Sequence, residues 1–125
     1  MKKRILFSIH PEFAEAILSG TKQVEFRRVI FKRNEIKEVV IYATHPIQRV
    51  VGRFEIDEVF VDTPDVLWSK TKDVGGVSKE KFENYFSGKA IGFGIKIKNP
   101  IRFEKSQPLS KYVSSNTAPQ SFCYV

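Results

Sequence analysis

Apolar residues in this chain come in short runs of β type, broken by Pro, Gly and brief helical patterns, and never in regular alternation with long amphipathic helices. Arg4–Ile9 reads as a short, largely buried strand, Gln23–Arg27 alternates polar and apolar residues, and Glu38–Thr44 reads as a strand buried on both faces. A longer β segment covers Gln48–Val61, where the apolar positions change parity and predict a bulge around Asp57–Glu58. Without the βαβ rhythm of a parallel sheet, this spacing favours an α+β fold, a compact mixed β-barrel of roughly five to seven strands with short peripheral helices.

Between the first two strands, His10–Pro11 opens a helix expected over Pro11–Ser19, with Phe13, Ala16 and Ile17 on one face and Gly20 as its left-handed stop. Thr63 and Ser78 read as N-caps of two further helices, near 64–72 and 79–87, with Gly75–Gly76 as a flexible joint between them. In the segment 89–98, Ile91, Phe93, Ile95 and Ile97 share one face while Gly92 and Gly94 leave the other bare. Close packing of another backbone at a barrel corner, or a ligand, accounts for such a gap. Ile101 and Phe103 continue the β pattern beyond Pro100, 108–113 can form a helical turn or two, and Ser121–Val125 offers a last strand.

A length of 125 residues suits one domain with one core, so residues 1–125 are expected to fold as a unit. The start, Met1-Lys2-Lys3-Arg4, opens like a signal peptide, but His10-Pro11-Glu12 cuts the apolar stretch short. No stretch approaches the ~20 apolar residues of a membrane span. Lone Cys123 cannot form an internal disulfide, and with His10 and His45 it makes no convincing zinc set. A cytoplasmic protein without metal or cofactor is the simplest expectation, and Walker A and dinucleotide fingerprints are both lacking.

The formal net charge of +7 points to an anionic partner, because Lys and Arg that neutralise phosphates release condensed counterions. Six basic residues, Lys22, Arg27, Arg28, Lys32, Arg33 and Lys37, stand against Glu25 and Glu35 between positions 22 and 37. Phe31 lies among them, suited either to stacking on an unpaired base or to anchoring the loop in the core. The densest constellation is Gly20-x-Lys22-x-x-Glu25-x-Arg27, where the helix stop delivers Lys22 to a loop and the next strand puts Glu25 and Arg27 on the same exposed face.

This spacing resembles the signature of ASCH domains, a branch of the PUA-like superfamily, at the place between first helix and second strand where that family carries it. Ser8-Ile9-His10-Pro11, Val39–Ala43, Val50–Phe54, Gly76–Phe82 and Pro119–Phe122 extend the resemblance over most of the chain, toward small stand-alone prokaryotic members. The resemblance implies a PUA-like barrel with a cleft beside the first helix that binds RNA, another single-stranded nucleic acid or a nucleotide. It also implies that some relatives cleave RNA or deacylate modified cytidine. Amidohydrolase relatives carry a nucleophilic threonine three residues after the cleft lysine, where this chain has Glu25, which weakens the hydrolase reading.

Lys22 suits a phosphate ligand or, once desolvated, a general base, and Glu25 suits a base edge. A binding interface is therefore expected at Gly20, Lys22, Glu25, Arg27, Arg28, Phe31, Lys32, Arg33, Tyr42 and His45. Lys22 and Glu25 would be the catalytic pair if the protein turns RNA over, aided by Arg27, Tyr42 and His45. The remaining alternative is a protein-interaction or regulatory domain whose charge serves solubility, with the Lys-Glu-Arg cluster an ordinary surface network.

Overall fold

Among the described residues, six strands and three α-helices follow one another as β1 (Arg4–Ile9), α1 (Pro11–Ser19), β2 (Val24–Arg27), β3 (Glu38–Ala43), β4 (Arg49–Asp62), α2 (Pro64–Thr71), α3 (Lys79–Tyr85), β5 (Gly92–Gln107) and β6 (Phe122–Tyr124). A computed structural model describes residues 3–115 and 117–125; the signal-like start thus begins outside them, at Met1 and Lys2. The strands form one mixed sheet in the order β2-β5-β4-β3-β1-β6, with β1 and β3 parallel and the other neighbours antiparallel.

The sheet curls because its strands are irregular where the sequence demands it. Asp57 is the extra residue between the paired Ile56 and Glu58, at the bulge the parity change predicted. A second irregularity falls where β5 passes Asn99–Pro100, since Pro100 has no N–H to give to the ladder. Curling brings the β2 edge back to the β1–β6 edge. There Arg27 of β2 donates from Nη1 to Ser121 Oγ at 3.2 Å and from Nη2 to Ser8 O at 3.4 Å.

Three apolar clusters result. The main one packs Ile5, Phe7, Ile17, Val39, Ile41, Phe54 and Ile95 inside the curl against α1. A second joins Leu6, Val40, Tyr42, Val50 and Leu109 on the far face of the sheet, and a third joins Val24, Phe26, Leu67, Phe82 and Phe86 under α2 and α3. Each side chain of this size contributes about 1.5–3 kcal/mol when fully buried.

The structure corrects three expectations. Gly92 and Gly94 face neither a backbone corner nor a ligand: a Cβ at Gly92 would lie 2.5 Å from the Phe86 ring, and one at Gly94 3.0 Å from Leu67. These glycines seat the two helices, a packing invisible to strand periodicity. Ile91 precedes β5 and is exposed, so the apolar face starts at Phe93. The side of β2 carrying Glu25 and Arg27 is buried like the side carrying Val24 and Phe26, because α1, α3 and the returning β1 edge close over it.

Candidate nucleic-acid interface

The interface is assembled by the turn between α1 and β2. Gly20 takes the left-handed conformation at φ 89°, its N–H bonding Ile17 O, and Lys22 N–H then bonds Ala16 O at 3.0 Å. The chain is thereby folded back beneath its own helix, which turns Lys22 inward. Its side chain is held in a groove where a Cβ on Gly76 would lie 2.6 Å from Lys22 Cβ. Nζ donates to Gly75 O at 2.6 Å, and it lies 4.9 Å from the Phe26 ring centroid and 5.3 Å from that of Phe13.

Lys22 is 2% exposed, so the loop that delivers it turns it into the protein interior and the Lys-Glu-Arg cluster is no ordinary surface network. Burial pushes its pKa below the ordinary lysine value; the Glu25 carboxylate opposes this and the Arg27 guanidinium adds to it. Glu25 and Arg27 form an ion pair at 3.4 Å, with residue exposures of 7% and 6%. Arg27 also lies 3.9 Å over the Phe7 ring. Its Nε is buried without a hydrogen-bond partner, a cost of about 1–3 kcal/mol that the stack and the ion pair offset.

These groups open onto a cavity of about 490 Å³, in the range typical of small-ligand sites. The end of β1 and the start of α1 supply Ser8, Ile9, His10 and Phe13, the turn and β2 supply Lys22, Glu25, Phe26 and Arg27, and α3 with its approach supplies Val77, Lys81, Phe82, Asn84 and Tyr85. Tyr85 donates its hydroxyl to Phe26 O at 3.2 Å. Burial raises its pKa, so it remains a neutral phenol. The Arg28 guanidinium lies 4.8 Å over its ring.

Of the residues singled out in the sequence, Lys22, Glu25 and Arg27 meet in this cavity, Gly20 shapes the turn that delivers them, and Arg28 stands beside it through Tyr85. Lys32 and Arg33 are exposed on the basic loop, which is tied to β6: Lys32 N–H donates to Tyr124 Oη at 3.1 Å and Arg33 lies 4.1 Å over the Tyr124 ring. Phe31 is half-buried, packed against the main core 6.4 Å from the Phe7 ring, and does not line the cavity.

Tyr42 and His45 do not line the cavity. Tyr42 is 6% exposed among Leu6, Val40 and Val50, because its place on β3 sends its side chain to the far face of the sheet. His45 is exposed in the turn after β3. His10, Phe13, Lys81, Asn84 and Tyr85 were missed as lining residues. Phe82, Tyr85 and Phe86 recur at helical spacing along the chain, but nothing in the sequence places them opposite β2.

The ASCH domain matches this chain over residues 7–107. The ASCH domain-containing ribonuclease of Zymomonas mobilis is 32% identical over 126 aligned residues, covering 99% of this chain and 85% of that protein. A crystal structure of ASCH from Zymomonas mobilis superposes with a TM-score of 0.89 at 28% identity, covering 98% of this chain and 87% of that one. ATP synthase subunit alpha of Ureaplasma parvum is 26% identical over 125 residues, but this chain spans only 15% of its length. The α+β half-barrel agrees with these likenesses, and no helix among the described residues is long and apolar enough to cross a membrane. From the extent of the match and the agreement in fold, this chain belongs to the ASCH domain family.

Proposed function

We propose that this protein binds RNA through the cleft between α1, β2 and α3. The carrying observation is that Lys22, Glu25 and Arg27, each at most 7% exposed, converge on one cavity large enough for a nucleotide. Charged groups are seldom buried this deeply without a task, since each loses several kcal/mol of hydration. Lys22 uses one of its three donors on Gly75 O and has two left for a phosphate or base oxygen, and the Glu25 carboxylate can accept from a base amine or imino group. Arg28 stands next to the cleft over the Tyr85 ring, and Lys32 and Arg33 lie exposed on the loop after β2, where they add positive charge for phosphates beyond the cleft.

The ribonuclease named among the relatives favours a second reading, cleavage of the RNA so bound. A 2′-hydroxyl attacks its own phosphorus, the P–O5′ bond breaks, and a 2′,3′-cyclic phosphate and a 5′-hydroxyl result. The lowered pKa of Lys22 suits its neutral amine to take the 2′-hydroxyl proton, the ammonium so formed returns a proton to the departing 5′-oxygen, and the positive charge of Arg27 stabilises the phosphorane.

Both readings are tested by incubating wild type and Lys22→Ala with labelled single-stranded RNA at two salt concentrations. The expected result is salt-sensitive retention that the variant loses. Product from wild type alone makes the protein a ribonuclease. Retention equal in both proteins refutes the assignment of the cleft, and no retention by either refutes RNA binding.

A further inference from the structure

The apolar half of the cleft narrows the kind of RNA that fits. Phe13 of α1 and Tyr85 of α3 are both half-buried, and each shows part of its ring to the cavity from a different helix. Tyr85 is fixed in place by its hydrogen bond to Phe26 O, so its ring is presented without a further ordering cost. At the mouth, Lys81 Nζ reaches from α3 to Glu12 Oε1 on α1 at 3.2 Å, and it lies 5.6 Å from the Phe13 ring centroid. Both partners of that ion pair are exposed, so it is weak, and a phosphate oxygen competes well for Lys81. Arg28, an exposed residue next to the cavity, lies with its guanidinium 4.8 Å over the Tyr85 ring.

We infer that the cleft is a slot for a single unstacked base, held against Phe13 and Tyr85, with its adjoining phosphates on Lys81 and Arg28. The substrate class is single-stranded, looped or bulged RNA. A perfect duplex offers the same phosphates, but its bases are stacked and paired and leave the slot empty. This inference rests on the RNA-binding reading and adds to it the form of RNA and the two rim cations.

The probe is fluorescence anisotropy with three labelled RNAs: a short single strand, its perfect duplex, and that duplex with one bulged nucleotide, each titrated over a salt series. Wild type is expected to bind the single strand and the bulged duplex well and the perfect duplex poorly. Tyr85→Ala should weaken the two favoured RNAs by about 5- to 150-fold, the worth of one stacked base, while leaving the salt slope unchanged. Tyr85→Phe keeps the ring and gives up only the bond to Phe26 O, so it should bind much closer to wild type than Tyr85→Ala does, which separates loss of the stacking ring from loss of that anchor. Lys81→Gln should lower the single-strand salt slope by about 0.7 and leave the preference for unpaired bases intact. A perfect duplex bound as tightly as the bulged one, or Tyr85→Ala binding like wild type, overturns the slot while RNA binding stands. Absence of RNA binding by wild type overturns both.

Discussion

Arg27 joins two roles, a wall of the cleft and the staple between sheet edges, and Arg27→Met measures the second. Methionine keeps much of the length and the contact with Phe7, so the loss is confined to the polar end. Gone are the bonds to Ser121 Oγ and Ser8 O and the ion pair at 3.4 Å with Glu25, which stays only 7% exposed. Removing one partner of a buried pair costs about 3–5 kcal/mol. Removing the unpartnered Nε returns about 1 kcal/mol. A net loss of about 2–4 kcal/mol lowers the urea midpoint by roughly 1.3–2.7 M at a slope of about 1.5 kcal/mol per M. The single tryptophan, Trp68, is half-buried in the third cluster and reports the transition by fluorescence. Combining Arg27→Met with Glu25→Gln should recover part of the loss, because the stranded carboxylate is what makes the single change so costly. Lys98→Met, at an exposed position, should stay within about 0.5 kcal/mol of wild type. An Arg27→Met midpoint as close to wild type as that of Lys98→Met would refute the staple.

Lys22 gives a pH signature of definite sign. Its pKa is lower in the folded protein than in the unfolded chain, so between those two values the unfolded chain binds more protons and stability rises with pH. Below the folded value the full penalty of the buried ammonium applies. Lys22→Met should flatten this alkaline rise in a series of urea titrations, and parallel curves for the two proteins would contradict it. Gly76→Ala should destabilise by about 2–4 kcal/mol, since it combines a left-handed residue at φ 68° with a Cβ placed 2.6 Å from Lys22 Cβ. An alanine variant with unchanged melting temperature would show that Gly76 does not confine Lys22. Phe31→Ala should cost stability and should not remove a base-stacking contact, because its ring packs on the core near Phe7. A selective loss of RNA affinity at unchanged stability would reverse that assignment.

Much of the fold is legible along the chain because it depends on local chemistry. Pro11 at the first turn and Gly20 at the end bound α1 at Pro11–Ser19 as expected, Thr63 and Ser78 cap α2 and α3 through their side chains, and the parity change marks Asp57 as a bulge. The spacing from Gly20 to Arg27 likewise identifies the cluster, since a helix stop followed by an alternating strand puts Lys22, Glu25 and Arg27 close together in any fold that keeps those elements.

Burial and partnership are different, because they depend on what arrives from elsewhere in the sequence. Alternation says that Glu25 and Arg27 share a face, but only the return of β1 beside β2 and the lid of α3 bury that face and turn a surface network into the wall of a cavity. Lys22 is desolvated by Gly75, Gly76 and two aromatic rings, and Gly75 lies 53 positions away in the chain. Tyr42 and Phe31 show the same dependence in the opposite sense: aromatic residues near a basic motif suggest a ligand contact, and tertiary packing buries Tyr42 on the far face of the sheet and seats half-buried Phe31 on the main core outside the cavity. The sequence thus determined which charged groups lie together, through turn geometry and strand period. Only long-range closure of the half-barrel decided that they face a cavity, and which rings of α1 and α3 face it with them.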